Sequence, residues 1–453
     1  MDRRAFLAAA ISAASAAPAL AALESGTPPV LRGTLNAAEL GLNPEAREDQ
    51  SRGLQQLLDI ASSEDRDLFL PPGTYFVADL KLPPRTRLTG VAGATRLVFG
   101  GNGDTMITGE RAEIVALANL TIDGAGRPLG EYVAGILHLT GCRNVSIDNC
   151  LIVGSSASGL ALDRCEGRII RNTVREARAA GIRAIESTAL SITDNIVEDC
   201  GDGGILVYRW NEGEDGTLVT GNRISRIAAT SGGTGQYGNG INVFRAHGVI
   251  VANNRITDCA FTAIRANSSS NIQIVGNNCR TCGEVGIYSE FAFQGAMIAN
   301  NIIDGAASGI SVANFNEGGR IAVVSNNIVR NLSGVGPYPP EPPGFGTGIS
   351  IEADATVTGN VIEGAPLYGM ALGWGPYLRD VAATGNVIRG APVGIAVTVV
   401  EGAGAAVISD NLIAGATRGA IVGMRWDETA TGDLVLTGGR GYPHLLIERN
   451  RVS

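Results

Sequence analysis

Three residue types that can bind and protonate a sugar acid recur in this 453-residue chain at one fixed spacing. Arg265 lies in Ala263-Ile264-Arg265-Ala266-Asn267. Tyr288 and Glu290 lie in Gly286-Ile287-Tyr288-Ser289-Glu290, so Ile264 and Ile287 stand 23 residues apart. If each segment is a strand of one stacked coil, side chains alternate across it. Arg265 and Tyr288 then share an outward row, with Asn267 and Glu290 in the next. A guanidinium can pair bidentately with a carboxylate, and a glutamate or tyrosine can move a proton to or from a substrate. Glu352 falls in the row of Glu290 two coils away, roughly 9–10 Å between backbones by strand spacing. Inverting glycoside hydrolysis uses carboxyl groups about 6.5–9.5 Å apart. The candidate catalytic residues are therefore Glu290, Tyr288, Arg265 and Glu352.

The same alternation extends both rows. The residue after the strand aliphatic gives Arg183, Leu206, Asn242, Arg265, Tyr288, Ser311 and Ser350. Two residues on stand Ile185, Tyr208, Phe244, Asn267, Glu290, Ala313 and Glu352, and the next position adds Glu186, Arg209, Arg245 and Phe291. Aromatic rings are poor choices for a face that need only be soluble. Sugar rings stack on them, and an arginine fork suits a carboxylate. Arg183, Tyr208, Arg209, Asn242, Phe244, Arg245, Asn267 and Phe291 are the candidate substrate-binding residues for a saccharide, a uronate-containing one included. A solvated sheet with polar ladders would present a similar face without function. His247 flanks this face, while His138 and His444 have no evident partner.

A repeat must position these residues. Asparagines stand at Asn149, Asn172, Asn195, Asn222, Asn254, Asn278, Asn301, Asn327, Asn360, Asn386, Asn411 and Asn450. A sharp minimum spacing of 23 with variable excess describes one fixed coil with loops inserted at tolerant corners. Glycine or alanine precedes an aliphatic residue in each coil, as in Gly181-Ile182, Gly240-Ile241 and Gly309-Ile310. Apolar residues alternate with period two, which is strand spacing. Helical repeats would need longer runs at 3.6 spacing, and leucine-rich repeats would need regular leucines. Asparagine tolerates the left-handed turn of a sharp corner, stacked asparagines hydrogen-bond from coil to coil, and parallel crossovers are right-handed. The expected fold is all-β: a single-stranded right-handed parallel β-helix of about twelve coils, with Asn278, Asn301 and Asn327 stacked at one corner.

Leu70-Pro71-Pro72-Gly73-Thr74-Tyr75 and corners such as Leu190-Ser191-Ile192-Thr193-Asp194-Asn195-Ile196 carry a family resemblance. From about Asp49 to the C-terminus the chain resembles the right-handed parallel β-helix proteins of the pectin-lyase-like superfamily. With the leader described next, it is similar to a family of exported β-helix repeat proteins of unassigned function. The resemblance implies the fold. It leaves activity open, because the superfamily holds lyases, hydrolases, epimerases and non-catalytic proteins. The paired aspartates and catalytic lysine or histidine signatures of its better-known enzymes are missing here, and Lys81 is the one lysine.

Met1 to Ala22 reads as a leader: Arg3-Arg4-Ala5-Phe6-Leu7, an alanine-rich apolar run, then Ala19-Leu20-Ala21 as a cleavage signal. The paired arginines match a twin-arginine (Tat) signal. The Tat translocase is thus an expected partner during export, and the periplasm or exterior the expected location. The run is too short to span a membrane. Residues 23–87 read as a lead-in and N-terminal cap. Within them a helix runs from Glu48 to Ala61, N-capped by Asp49, with Leu54, Leu57, Leu58 and Ala61 on one face. Such a helix would close the open edge of the solenoid. The first strand is expected over Asp67–Val77, and residues 88–453 as the β-helix.

A net charge of −9 argues against nucleic-acid binding. No P-loop, Rossmann or zinc-protease motif appears. Gly100-Gly101-Asn102-Gly103-Asp104 falls short of the calcium-binding nonapeptide, so no metal ligands are assigned and a need for Ca²⁺ stays open. Seven cysteines include Cys142/Cys165 and Cys259/Cys282, each pair 23 residues apart. Stacking would bring them within disulfide reach; buried thiols acting as small apolar residues are the alternative. The insertions Ser225–Asn239, Arg330–Thr347 and Trp210–Gly216 are expected to wall the Gly-Ile strand face, the second stiffened by its prolines at 337–343. Two functions fit. One is an exported enzyme acting on polysaccharide, of lyase, epimerase or hydrolase type; the other is a non-catalytic polysaccharide-binding or structural envelope protein.

Overall fold

The computed structural model describes residues 33–100, 103–233, 235–313 and 318–453. The leader with Arg3 and Arg4, and the first part of the lead-in, lie outside the described residues. From Leu35 onward each coil lays down three strands and begins again above itself. Thr121–Asp123, Gly135–Thr140 and Asn144–Asp148 form one such coil; the next opens with Leu151–Val153, parallel to Thr121–Asp123. Three sheets result. The front sheet has 15 strands from Leu80–Leu82 to Glu428–Asp433, the back sheet 16 from Leu35–Asn36 to Leu445–Glu448, and the base sheet 15 from Gly73–Val77 to Arg451–Val452. Stacking therefore starts ahead of residue 88. The strands also outnumber the twelve asparagine corners, because the first coils carry no ladder asparagine.

Inward-facing aliphatics fill the interior. Ile182, Ile205, Ile241, Ile264, Ile287, Ile310 and Ile349 form one column, in register from coil to coil and essentially fully buried. Burying each such side chain stabilises the fold by about 1.5–3 kcal/mol. All seven cysteines are buried free thiols and pack as small core residues.

The asparagine ladder runs at the corner between back and base sheets. Asn172, Asn195, Asn222, Asn254, Asn277, Asn301, Asn327, Asn360, Asn386 and Asn411 each donate Nδ2–H to the Oδ1 of the next, ending on Asn450, at 2.9–3.0 Å. Asn277, not Asn278, is the rung. Each rung follows a residue in the left-handed region: Asp194 at φ 56°, Asn253 at 57°, Asn300 at 58°. Gly276 takes that turn at φ 70°, so the next residue points inward. Asn278 opens the following strand, and its Oδ1 is buried without a hydrogen-bond partner. Asn149 also takes the turn itself (φ 52°), and Cys150 occupies the rung position, its amide donating to Asn172 Oδ1 at 2.9 Å.

The capping helix spans Ser51–Ser63, starting later than expected. Gln50 is its N-cap rather than Asp49, and makes no side-chain cap bond. Asp49 Oδ1 instead accepts from the Ser51 amide at 2.8 Å. Leu54, Leu57, Leu58 and Ala61 are buried as expected. Helix side chains satisfy the open strand edge: Ser51 Oγ, Gln55 Oε1 and Ser62 Oγ accept from the amides of Ala78, Lys81 and Arg85 at 2.7, 2.9 and 3.2 Å. The expected first strand is split into Leu68–Phe69 and Gly73–Val77, because Pro71 and Pro72 have no N–H to pair. At the other end, Glu428–Asp433 folds back antiparallel on Gly419–Arg425. Among the described residues no helix is long and apolar enough to cross a membrane.

Candidate functional site

Two corners flank the front sheet. The corner leading into it carries the long connections 124–134, 228–238 and 331–346. The corner leaving it carries the extension of Gly203–Glu214, whose register slips between Tyr208 and Gly213. The expected rows are in register throughout. Arg183, Leu206, Asn242, Arg265, Tyr288, Ser311 and Ser350 face one another in succession, and so do Ile185, Tyr208, Phe244, Asn267, Glu290 and Ala313.

A cavity of about 570 Å³ opens on this face. Arg183, Tyr208, Asn242, Phe244, Arg265 and Asn267 line it, joined by Asp202, Trp210, Gln236 and Tyr237 from the two corners. Tyr208 and Phe244 meet edge to face, with centroids 5.7 Å apart. Asn242 Nδ2 donates to the Tyr208 hydroxyl at 2.8 Å and to the Gln236 carbonyl at 3.3 Å, tying floor to wall. Burial pushes the Tyr208 hydroxyl pKa up, so it stays a neutral donor.

Arg265 closes one end of the cavity. Its Nε donates to Glu290 Oε1 at 2.6 Å, where Asn267 Nδ2 also donates at 2.9 Å. Its Nη1 lies 3.7 Å from Glu284 Oε2. Glu284 accepts hydrogen bonds from two hydroxyl donors, Thr262 Oγ1 and Tyr338 Oη, each at 2.6 Å. One guanidinium thus faces two buried carboxylates, of which Glu284 accepts from donors on both oxygens. Burial raises the pKa of Glu290, against the opposing pull of Arg265. Glu290 therefore retains its proton to higher pH than an ordinary carboxyl group. Burial, and then the charge of Glu290, raise the Tyr288 pKa, and the Arg265 guanidinium carbon stands 5.2 Å from the Tyr288 ring centre.

The other end is a second charged group. His138 Nε2 is 2.8 Å from Asp163 Oδ2, and Arg183 Nη1 donates to Asp163 Oδ1 at 3.3 Å. Burial pushes the Asp163 pKa up, but His138 and the Arg183 and Arg164 charges outweigh it and hold the carboxyl below its usual range.

Several expected residues fall outside the cavity. Tyr288 and Glu290 sit beneath Arg265, Glu290 only 3% exposed. Glu352 is also buried, beyond Ala313 and not on the cavity wall. Arg209 and Arg245 brace the trailing wall. Arg209 pairs with Glu186 at 3.2 Å, Glu186 Oε1 accepts from the Trp210 amide at 2.6 Å, and Arg245 donates to the Trp210 carbonyl at 3.1 Å. Phe291 is exposed farther along the same corner. His247 turns away, accepting from the Ser270 amide and approaching Glu212.

Glu284, Tyr338 and the His138–Asp163 pair were not among the expected site residues. Glu284 precedes the Gly-Ile marker rather than following it, and Tyr338 reaches it across 54 residues of sequence. His138 and Asp163 do lie in the two outward rows, His138 two coils before Arg183 and Asp163 one coil before Ile185, and continuing the rows backward would have found them. Among the described residues no group of three or more His, Cys, Asp or Glu side chains is placed to hold a metal.

Comparison with known proteins follows the geometry. The sequence profile described as "Right handed beta helix region" matches residues 134–230 and 209–388, together more than half of the chain. The uncharacterized protein YclG of Bacillus subtilis (strain 168) is 25% identical over 365 residues, which is 67% of this chain and 59% of YclG, less than two thirds of that relative. The N-terminal fragment of bacteriophage phi29 gene product 12 superposes with a TM-score of 0.53 at 14% identity, covering 86% of this chain and 68% of the fragment. The catalytic unit of a GH87 α-1,3-glucanase from Streptomyces thermodiastaticus gives 0.47 at 13%, covering 94% and 69%. At such identities the likeness to solved structures is one of fold. With its family profile matched over most of the coils that build the cavity, the chain belongs to the right-handed β-helix family.

Proposed function

We propose that this protein binds a stretch of polysaccharide across the front sheet, with the chain seated in the cavity between Trp210 and the 228–238 connection. One observation carries the reading: a single concave surface combines Tyr208, Phe244, Trp210 and Tyr237 with Asn242, Asn267, Arg183 and Arg265. Binding sites of this kind are apolar hollows with a few placed polar groups. The rings offer faces to pyranose units, the amides offer hydroxyl partners, and the two guanidinium groups favour a uronate-containing chain. The experiment is a binding panel of acidic and neutral polysaccharides. Binding by none of them sinks the reading.

A second reading adds chemistry of the lyase, epimerase or hydrolase type. It is favoured by the raised pKa of Glu290 beside Arg265 and Tyr288, because a buried carboxyl that keeps its proton longer than an ordinary one suits general acid–base work. For Glu290 to act, the ligand must draw Arg265 or Asn267 aside and expose it. Release of reducing ends, or absorbance from unsaturated uronates, lost in Glu290→Gln with binding retained, distinguishes this from binding alone. We also propose export by the twin-arginine route, on the leader sequence alone.

A further inference from the structure

All three tryptophans of the chain, Trp210, Trp374 and Trp426, stand at the corner where the chain leaves the front sheet. Trp210 lies in the extension of Gly203–Glu214, Trp374 follows Tyr368–Leu372, and Trp426 follows Gly419–Arg425. Phe291, after Val285–Glu290, occupies the same corner. Trp210, Phe291 and Trp426 are 58%, 43% and 45% exposed, against only three tryptophans and ten phenylalanines in 453 residues. Phe291 is three coils beyond Trp210, and Trp374 three coils beyond Phe291. At one strand spacing per coil, that places aromatic groups roughly 14 Å apart along roughly 29 Å of the axis.

The far end of this series is built rather than incidental. Trp374 and Trp426 meet edge to face with centroids 5.5 Å apart, although they come from strands two coils apart. Gly375, at φ +54°, lies directly against the Trp426 ring; a Cβ there would stand 2.4 Å from it. The ring is thus seated on backbone on one side and on Trp374 at its edge. Next to it Arg425 is fixed by Glu401, Nη1 to Oε2 at 2.7 Å, which sets charged donors and acceptors beside the ring.

We propose that Trp374 and Trp426 form a distal subsite for the same glycan, which runs from the cavity along this corner past Phe291. The proposal rests on the polysaccharide reading of the cavity, with which the track is continuous through Trp210. The ligand class is an unbranched polysaccharide chain presenting flat pyranose faces. A disaccharide fills the cavity only, whereas a chain long enough to reach Trp426 gains the distal contact.

The test is affinity against chain length, using size-graded oligomers of polygalacturonate and of a neutral β-glucan on the mature protein. The unaltered protein should bind tighter as the chain lengthens. Trp426→Ala should weaken long-chain binding by roughly tenfold while leaving disaccharide binding unchanged, and Trp426→Phe should restore most of the loss. Phe291→Ala, five coils closer to the cavity than Trp426, gives a second reading that does not depend on how Trp426→Ala folds. If both alanine variants bind long chains like the parent, the track is refuted and the cavity reading survives. If long chains need Trp426 but Asn242→Ala changes nothing, the glycan does not enter the cavity, and both the cavity reading and the track leading from it are refuted in favour of an isolated Trp374–Trp426 site. If the unaltered protein binds neither series at any length, both are wrong.

Discussion

Arg265 Nε donates to Glu290 Oε1 at 2.6 Å while the same guanidinium lies over the Tyr288 ring of the next coil. This one side chain separates two buried carboxylates, Glu290 and Glu284. Removing one partner of a buried ion pair typically costs about 3–5 kcal/mol, because the remaining charge is left uncompensated. Arg265→Ala should therefore lower stability by roughly that amount in denaturant melts. Arg265→Ala combined with Glu290→Gln should recover part of the loss. Equal stability of Arg265→Ala and the parent would show that the cluster is solvated.

Glu290 makes stability depend on pH in the direction opposite to a salt-bridged surface carboxylate. Its folded pKa is raised above the ordinary 4.5 by burial. Its contribution is fully present below the unfolded value and is lost as pH rises through the folded value. Unfolding free energy measured upward from pH 4.5 should thus fall more steeply in the parent than in Glu290→Gln. Parallel curves would mean that Glu290 titrates normally.

Gly235, at φ +100°, rests against Arg265, and a Cβ would stand 1.7 Å from Nη1. Arg265 is pinned by Glu290 and cannot swing away freely. Gly235→Ala should lift the 228–238 connection and weaken polysaccharide binding severalfold with little change in melting temperature. Unchanged affinity would remove this wall from the site.

The ladder makes a sharp distinction between neighbours. Asn277→Leu should strand the amides it serves, costing on the order of 1–3 kcal/mol. Asn278→Leu, which removes a carbonyl that has no partner, should cost much less. Comparable losses from the two would contradict the assignment of Asn277 as the rung.

Arg3→Lys with Arg4→Lys should leave unprocessed precursor in the cytoplasm if the leader is read by the twin-arginine machinery. Normal export of that variant would assign another route.

Both the coil and the face were readable because they depend on local rules. Period-two alternation placed Arg183, Leu206, Asn242, Arg265 and Tyr288 in one row, and the structure pairs them in that order. The tandem Asn277-Asn278 was misassigned because composition alone does not say which residue takes the left-handed turn. The preceding Gly276 does. Depth was less legible than direction. Glu290 and Glu352 lie in the expected row or its continuation yet are buried, Glu290 beneath Arg265, which alternation along a strand cannot foretell. Tyr338 depends on how a long connection folds back, and no short-range pattern encodes that.

The ladder has an electrical consequence. From Asn172 to Asn411 every side-chain amide of the ladder donates from its NH₂ to the next coil, and from Asn195 to Asn450 every one accepts at its carbonyl oxygen from the coil before. Their dipoles add head to tail along the axis, and each bond polarises its neighbours, strengthening them by about 10–30% per bond. The solenoid is therefore polar along its length even where its surface is neutral, with the donor end at the C-terminal coils. A break at Asn301 interrupts that polarisation on both sides, whereas a break at Asn450 only shortens the column.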